Sequence, residues 1–215
     1  MNDKALRISE IFYSLQGESK TVGLPTVFIR LTGCPLRCQY CDTSYAFSGG
    51  KMMELAAIIQ QAASYNTRYI TVTGGEPLAQ PACWDLLSQL ADKGYEVSLE
   101  TSGALDVSKV DTRISKVMDL KTPASAEESR NLYANLQYMD ADDQLKFVIC
   151  NREDYEWSKK KMEEYQLQGK CELLFSPAMG QQNAAELAGW IIEDQLMVRF
   201  QLQLHKTLWG NEAGK

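Results

Sequence analysis

The sequence predicts an α/β fold wound as an incomplete barrel. Three observations lead there. Strand-like runs alternate with helix-like segments, several strands carry polar residues along one face, and the chain has no internal repeat or long linker. Strand-like runs lie at Ile8–Phe12, Thr26–Leu31, Tyr69–Thr73, Tyr95–Glu100, Lys116–Leu120, Gln144–Cys150, Cys171–Phe175 and Met197–Leu204. Between them, Met52, Leu55, Ile59 and Ala62 recur at helical spacing. So do Cys83, Leu86, Leu87 and Leu90, and later Ala184, Leu187, Ala188 and Ile191. Asp154–Leu167 reads as a charged, mostly solvated helix, and Gly94 stands where a helix stops and a strand begins. Alternation of this kind gives βαβ units and a mainly parallel sheet, wound by right-handed crossovers as an open barrel or a doubly wound layer.

Side chains alternate faces along a strand. Thr71 and Thr73 therefore share a face, as do Ser98 and Glu100, Asp119 and Lys121, and Arg199, Gln201 and Gln203. Ile70, Val72, Val97, Leu99, Val198, Phe200, Leu202 and Leu204 point the other way. A closed barrel fills its interior with branched apolar residues, so a polar interior fits an incomplete barrel holding a wet cleft. The competing reading is a polar face turned to solvent at an antiparallel edge.

Length and composition narrow the function. At 215 residues the chain reads as one domain, residues 1–215, with a short polar tail from about 210. No apolar run approaches a bilayer span, and MNDKALRISE carries no apolar signal core, which gives the expectation of no membrane partner and a cytoplasmic location. Twenty-two basic against 28 acidic residues leave a net charge of −6, which disfavours a nucleic-acid partner. A single histidine, His205, argues against a His-rich metal centre.

The six cysteines are unevenly spread. Cys83, Cys150 and Cys171 are scattered and read as inert buried thiols. Cys34, Cys38 and Cys41 crowd into a loop, spaced C-x3-C-x2-C after a strand. A structural zinc site wants four ligands, commonly with histidine, and an ordinary ferredoxin cubane wants four cysteines. Three cysteines on a [4Fe–4S] cluster leave one iron open to a substrate or cofactor. Zinc, or three unliganded thiols, are the competing readings. Downstream, Thr73-Gly74-Gly75-Glu76-Pro77 ends a strand, where two glycines let the backbone approach a ligand.

With these two motifs the sequence resembles the radical S-adenosylmethionine (SAM) superfamily. The resemblance implies a partial, TIM-like β/α barrel of the radical SAM type, with Cys34, Cys38 and Cys41 holding the [4Fe–4S] cluster. It implies that the open iron chelates SAM, whose reductive cleavage gives a 5′-deoxyadenosyl radical, with Tyr40 near the adenine. Further stretches, Tyr13–Glu18, Phe28–Leu31, Cys41-Asp42-Thr43, Glu100–Gly103, Asp119–Pro123 and Phe200–His205, resemble the 7-carboxy-7-deazaguanine synthase family from about Ile8 to Trp209.

That resemblance implies conversion of 6-carboxy-5,6,7,8-tetrahydropterin to 7-carboxy-7-deazaguanine with loss of ammonia, in queuosine and 7-deazapurine biosynthesis. The radical would take hydrogen from C6 of the pterin, and Mg²⁺ would steer ring contraction. It also implies a homodimer and an electron donor such as flavodoxin. By position, Thr43 matches a Mg²⁺ contact, Arg30 the partner of the substrate carboxylate, Leu15, Gln16 and Gly17 a pterin-binding loop, and Thr73 a substrate contact. Cys41, Asp42, Gly75, Asp119, Leu120, Lys121, Ser176, Pro177, Ala178 and Met179 match SAM contacts. Glu100 is expected to touch SAM or substrate, and His205 either touches substrate or is structural. No general acid–base pair is evident. Two departures stand out: Ser19 replaces the family's second loop glycine, and Leu208-Trp209-Gly210 with the polar tail Asn211–Lys215 replaces a proline-bearing end. Rival readings are an activase of a glycyl-radical enzyme and a non-enzymatic iron–sulfur or zinc module.

Overall fold

The computed structural model describes residues 4–210, 212 and 214. Met1–Asp3, Asn211, Ala213 and Lys215, parts of the two termini read above, lie outside the described residues. Nine strands form one open sheet: β1 (Ala5–Leu15), β2 (Pro25–Leu31), β3 (Lys51–Glu54), β4 (Tyr69–Gly74), β5 (Glu96–Thr101), β6 (Ser115–Asp119), β7 (Gln144–Ile149), β8 (Glu172–Pro177) and β9 (Arg199–Phe200). Their order is β3-β1-β2-β4-β5-β6-β7-β8-β9. From β2 to β9 every neighbour is parallel, while β1 pairs antiparallel with β2 on one side and β3 on the other. The sheet does not close, as an incomplete barrel requires. Helices α1 (Leu55–Ala62), α2 (Ala82–Asp92), α3 (Arg152–Glu164) and α4 (Ala184–Glu193) follow β3, β4, β7 and β8, and α5 (Leu204–Trp209) ends the fold.

The alternation within the strands decides which face is covered. Ile70, Val72, Val97 and Leu99 pack on Ile58, Ile59, Leu86, Leu87 and Leu90 of α1 and α2. Leu145, Phe147, Leu173 and Phe175 pack on Tyr155, Met162, Leu187 and Ile191 of α3 and α4. Each such side chain contributes about 1.5–3 kcal/mol when fully buried. Asn151 and Asn183 cap α3 and α4 by accepting from Asp154 N and Glu186 N at 3.0 Å. Gly94, at φ +83°, turns the chain from α2 into β5.

Three expectations need correction. Met52 does not open a helix: residues 51–54 pair with β1, and helix α1 begins at Leu55. The run 51–54 was hidden because its side chains are largely exposed, so no apolar alternation betrays the strand. The last strand is only Arg199–Phe200 rather than Met197–Leu204. The chain leaves the sheet because Leu204 N donates to Gly17 O and begins α5. Third, the charged segment at 154–167 is helical over Arg152–Glu164 but not simply solvated. Asp154 is fully buried and accepts from Ala124 N at 3.0 Å and Cys150 N at 2.9 Å, so it ties α3 to the end of β7. Cys83, Cys150 and Cys171 are buried and unpaired. Among the described residues no helix is long and apolar enough to cross a membrane.

Candidate active site

The polar strand faces meet at the C-terminal rim of the sheet. Thr71 and Ser98 hydroxyls lie 2.9 Å apart, Thr73 donates to Glu100 Oε2 at 2.8 Å, and Gln16 Nε2 reaches Thr71 at 2.9 Å and Glu100 Oε1 at 3.4 Å. Of these, Gln16, Thr73 and Glu100 line a cavity of about 730 Å³, within the size range of small-molecule sites, while Thr71 and Ser98 lie outside its lining. Burial, reinforced by the charge of Glu18, pushes the Glu100 carboxyl above its ordinary range.

At one end lies the cysteine loop. Gly33 N donates to Ala46 O at 2.8 Å, Cys41 N donates to Cys38 O at 3.2 Å, and the Arg37 guanidinium donates to Cys34 O at 2.8 Å, while Gln39 N ties the loop to Ser125 O at 3.1 Å. The three thiols are unpaired, partly exposed and border the cavity. Among the described residues no three His, Cys, Asp or Glu side chains converge as a single ion would need. Three thiols that each take a different iron need no such convergence. Burial raises the Cys38 thiol to about 11, while the Lys121 ammonium works in the opposite direction.

Gly75 docks on this loop. A Cβ there would stand 2.3 Å from Gly33 O and 2.9 Å from Cys34 Cβ, so only glycine permits the approach. The Glu76 carboxylate, fully buried, holds the turn by accepting from Leu78 N, Thr101 Oγ1, Ser102 N and Ser102 Oγ at 2.6–3.1 Å. Tyr40 OH and Asp119 Oδ1 are buried without a partner, and both residues border the cavity. Lys121 sits 3.0 Å from Asp119 Oδ2 and 5.7 Å from the Tyr40 ring centre. Two orphaned polar atoms beside the thiols fit a polar cofactor seated on this wall.

The other end is built from β1, β2 and the C-terminal segment. Arg30 donates through Nε to Glu10 at 2.8 Å and lies 5.8 Å from the Phe12 and Tyr45 ring centres, while Phe12 stacks on Phe28. Arg30 points into the cavity because Ile29 and Leu31, its neighbours on the other face, are fully buried. Gly17 lies against His205: a Cβ would come 2.1 Å from its Nδ1. Burial lowers the pKa of His205 from its ordinary value, against the raising influence of Glu18 and Asp42.

Ser19 has φ +64° and is buried, so the replaced glycine position does need left-handed backbone. The serine tolerates it with its hydroxyl 3.3 Å from Thr21 Oγ1. That conformation costs a side chain about 1–2 kcal/mol. Ser19→Gly is therefore expected to leave thermal stability within about 1 kcal/mol, and β-branched Ser19→Val to lose more than about 2 kcal/mol in thermal unfolding.

The predicted residues converge with one exception. Leu15, Gln16, Gly17, Arg30, Cys34, Cys38, Tyr40, Cys41, Asp42, Thr43, Thr73, Gly75, Glu100, Asp119, Lys121, Ser176, Pro177, Ala178, Met179 and His205 all border the cavity. Leu120 does not: its side chain is 2% exposed and belongs to the core with Met118 and Leu145, because it alternates with Asp119 and Lys121. Glu18, Lys146 and Gln203 also border the cavity and were not among the predicted contact residues. Lys146 alternates with Leu145 and Phe147 on β7, so the rule applied to the earlier strands would have found it.

Comparison with known proteins agrees with this geometry. Residues 28–187 match the family model of the Radical SAM superfamily. The chain is 41% identical over 211 residues to the 7-carboxy-7-deazaguanine synthase of Chlorobaculum tepidum, covering 97% of this chain and 96% of that protein. It is 39% identical over 225 residues to the enzyme of the same name from Koribacter versatilis, covering 97% and 99%. The crystal structure of QueE from Escherichia coli shares the fold, with a TM-score of 0.79 at 21% identity over 94% of this chain and 95% of that one. The chain belongs to the radical SAM superfamily and, within it, to the 7-carboxy-7-deazaguanine synthase family.

Proposed function

We propose that this protein converts 6-carboxy-5,6,7,8-tetrahydropterin to 7-carboxy-7-deazaguanine with loss of ammonia, as a radical SAM enzyme of queuosine and 7-deazapurine biosynthesis. The observation that carries this reading is near full-length similarity to synthases of that name, joined to a single cavity with a thiol-bearing end and an arginine-bearing end. As a superfamily member the chain uses a [4Fe–4S] cluster and SAM. Bound there, they supply a hydrogen-abstracting radical through one-electron cleavage of SAM; the chain supplies position and exclusion of water.

In this reading Cys34, Cys38 and Cys41 ligate the cluster. Tyr40, Asp42, Gly75, Asp119, Lys121 and the Ser176–Met179 rim hold SAM, with Leu120 contributing only backbone. Leu15, Gln16, Gly17, Thr73 and Glu100 bind the pterin ring, and His205 closes that end. Arg30 offers its fork to the substrate carboxylate. Its Nε bond to Glu10 and the Phe12 and Tyr45 rings fix the guanidinium beforehand. The Thr43 hydroxyl, 3.8 Å from Cys41 Sγ, would supply one neutral ligand to a Mg²⁺ ion bound there. The reading further includes a single-domain chain, a homodimer, a cytoplasmic location and an electron donor such as flavodoxin.

The test is an anaerobic assay of reconstituted enzyme with SAM, reductant, Mg²⁺ and the pterin, read by mass spectrometry. Product should form, and Arg30→Ala should lower kcat/KM for the pterin by about 30-fold or more, chiefly through KM. SAM cleavage with an untouched pterin would refute the substrate assignment.

A further inference from the structure

Lys146, on β7, borders the cavity and has no role in the reading above. Its ammonium lies 2.5 Å from Glu18 Oε2, and the two side chains are only 15% and 13% exposed. The other oxygen of Glu18 accepts from Gln203 Nε2 at 2.8 Å. Backbone closes the same joint: Leu204 N donates to Gly17 O at 2.9 Å, and His205 fills the bare face of Gly17. Lys206 Nζ stands 3.6 Å from Asp42 Oδ2 of the cysteine loop.

The segment held this way cannot hold itself. Helix α5 has six residues and buries none of them, and a helix that short has no intrinsic stability. Its place over the cavity depends on its ties, and one oxygen of Glu18 faces the sheet while the other faces the segment. Burial opposes charge on Glu18, yet the Lys146 ammonium and the Gln203 amide outweigh it and hold the carboxyl below its ordinary range. Without Lys146 the carboxylate would be buried and uncompensated, which forces it to turn away or take a proton. Either response loosens Gln203.

We propose that Lys146 is a positioning residue that latches the segment 203–206 over the pterin end of the cavity through the Glu18 carboxylate. The substrate named in the test rests on the function proposed above; the latch itself does not. Hydrogen exchange of the reconstituted holoenzyme, read on peptides covering residues 201–209 and on core peptides of β4 and β5, tests the latch directly. Steady-state kinetics with the pterin tests its use.

Lys146→Met and Glu18→Gln are expected to speed exchange at 204–209 by about tenfold or more while the core peptides keep their protection. The same variants should raise KM for the pterin at least about tenfold, with a smaller change in kcat, and Lys146→Arg should restore most of both. Gln203→Ala severs the latch from the segment's side and should speed the same amides even if Lys146→Met does not fold. Unchanged exchange at 204–209 in folded variants overturns the latch, and so does acceleration spread evenly over all peptides. If wild-type enzyme leaves the pterin untouched, the proposed reaction fails while the exchange result still decides the latch.

Discussion

Cys38→Ala is expected to abolish reductive SAM cleavage and product formation, by at least about a thousandfold, because the cofactor supplies all of the radical chemistry. Chemical analysis after anaerobic reconstitution should show iron and sulfide falling with it. The metal-free variant should unfold within about 1 kcal/mol of the metal-free parent, since Cys38 is partly exposed and its thiol has no partner. Cys83→Ala provides the contrast. That thiol is fully buried among apolar neighbours, so its loss should cost stability but leave the iron content intact. A Cys38→Ala enzyme that still assembles its full cluster would remove the cysteine loop from the site.

The second large effect is expected at Glu76. Its carboxylate is fully buried and receives four donors. Glu76→Ala leaves those donors unpaired and opens a cavity, at a cost of about 3–5 kcal/mol. For a chain of this size that lowers Tm by about 6–20 °C. Glu76→Gln keeps the volume but turns an amide N–H toward donors of Ser102, so it should recover only part of the loss. Glu96→Gln, which removes an exposed ion-pair partner of Arg68, should shift stability by less than about 0.5 kcal/mol. Because Glu76 sets the turn in which Gly75 meets Gly33, SAM affinity should fall in step. A Glu76→Ala protein with unchanged Tm and SAM affinity would show that the turn is held elsewhere.

The contrast between these residues explains what the sequence could disclose. Cys34, Cys38 and Cys41 lie in one loop, and Gly74-Gly75-Glu76 in one turn, so each motif is complete within a few positions. The cleft was legible because alternation along β4, β5 and β6 is also local. The partnership of Glu18 with Lys146 was not, because nothing near either residue marks the other. Residues 51–54 gave no apolar signal as a strand on the edge of the sheet. At the other edge the alternation from Val198 to Leu204 continued in the sequence after the chain had left the sheet, since bonding to Gly17 outcompeted strand pairing. Ser19 shows a different limit: the glycine-type backbone was foreseeable at that position, but the tolerance of a serine side chain depended on Thr21.

The spans of these contacts also order events in time. Gln16 reaches Thr71 across 55 positions, Lys146 reaches Glu18 across 128, and Gln203 reaches Glu18 across 185. Each closure carries an entropic charge that grows with the length of loop closed, and chains rich in such closures fold slowly. The three cysteines, by contrast, lie within eight positions of one another. A refolding chain can therefore gather its three thiols early, while the substrate end exists only once the first strand, the seventh strand and the C-terminal segment have all come together. On mild denaturation the reverse order is expected, with substrate binding lost before the thiols separate.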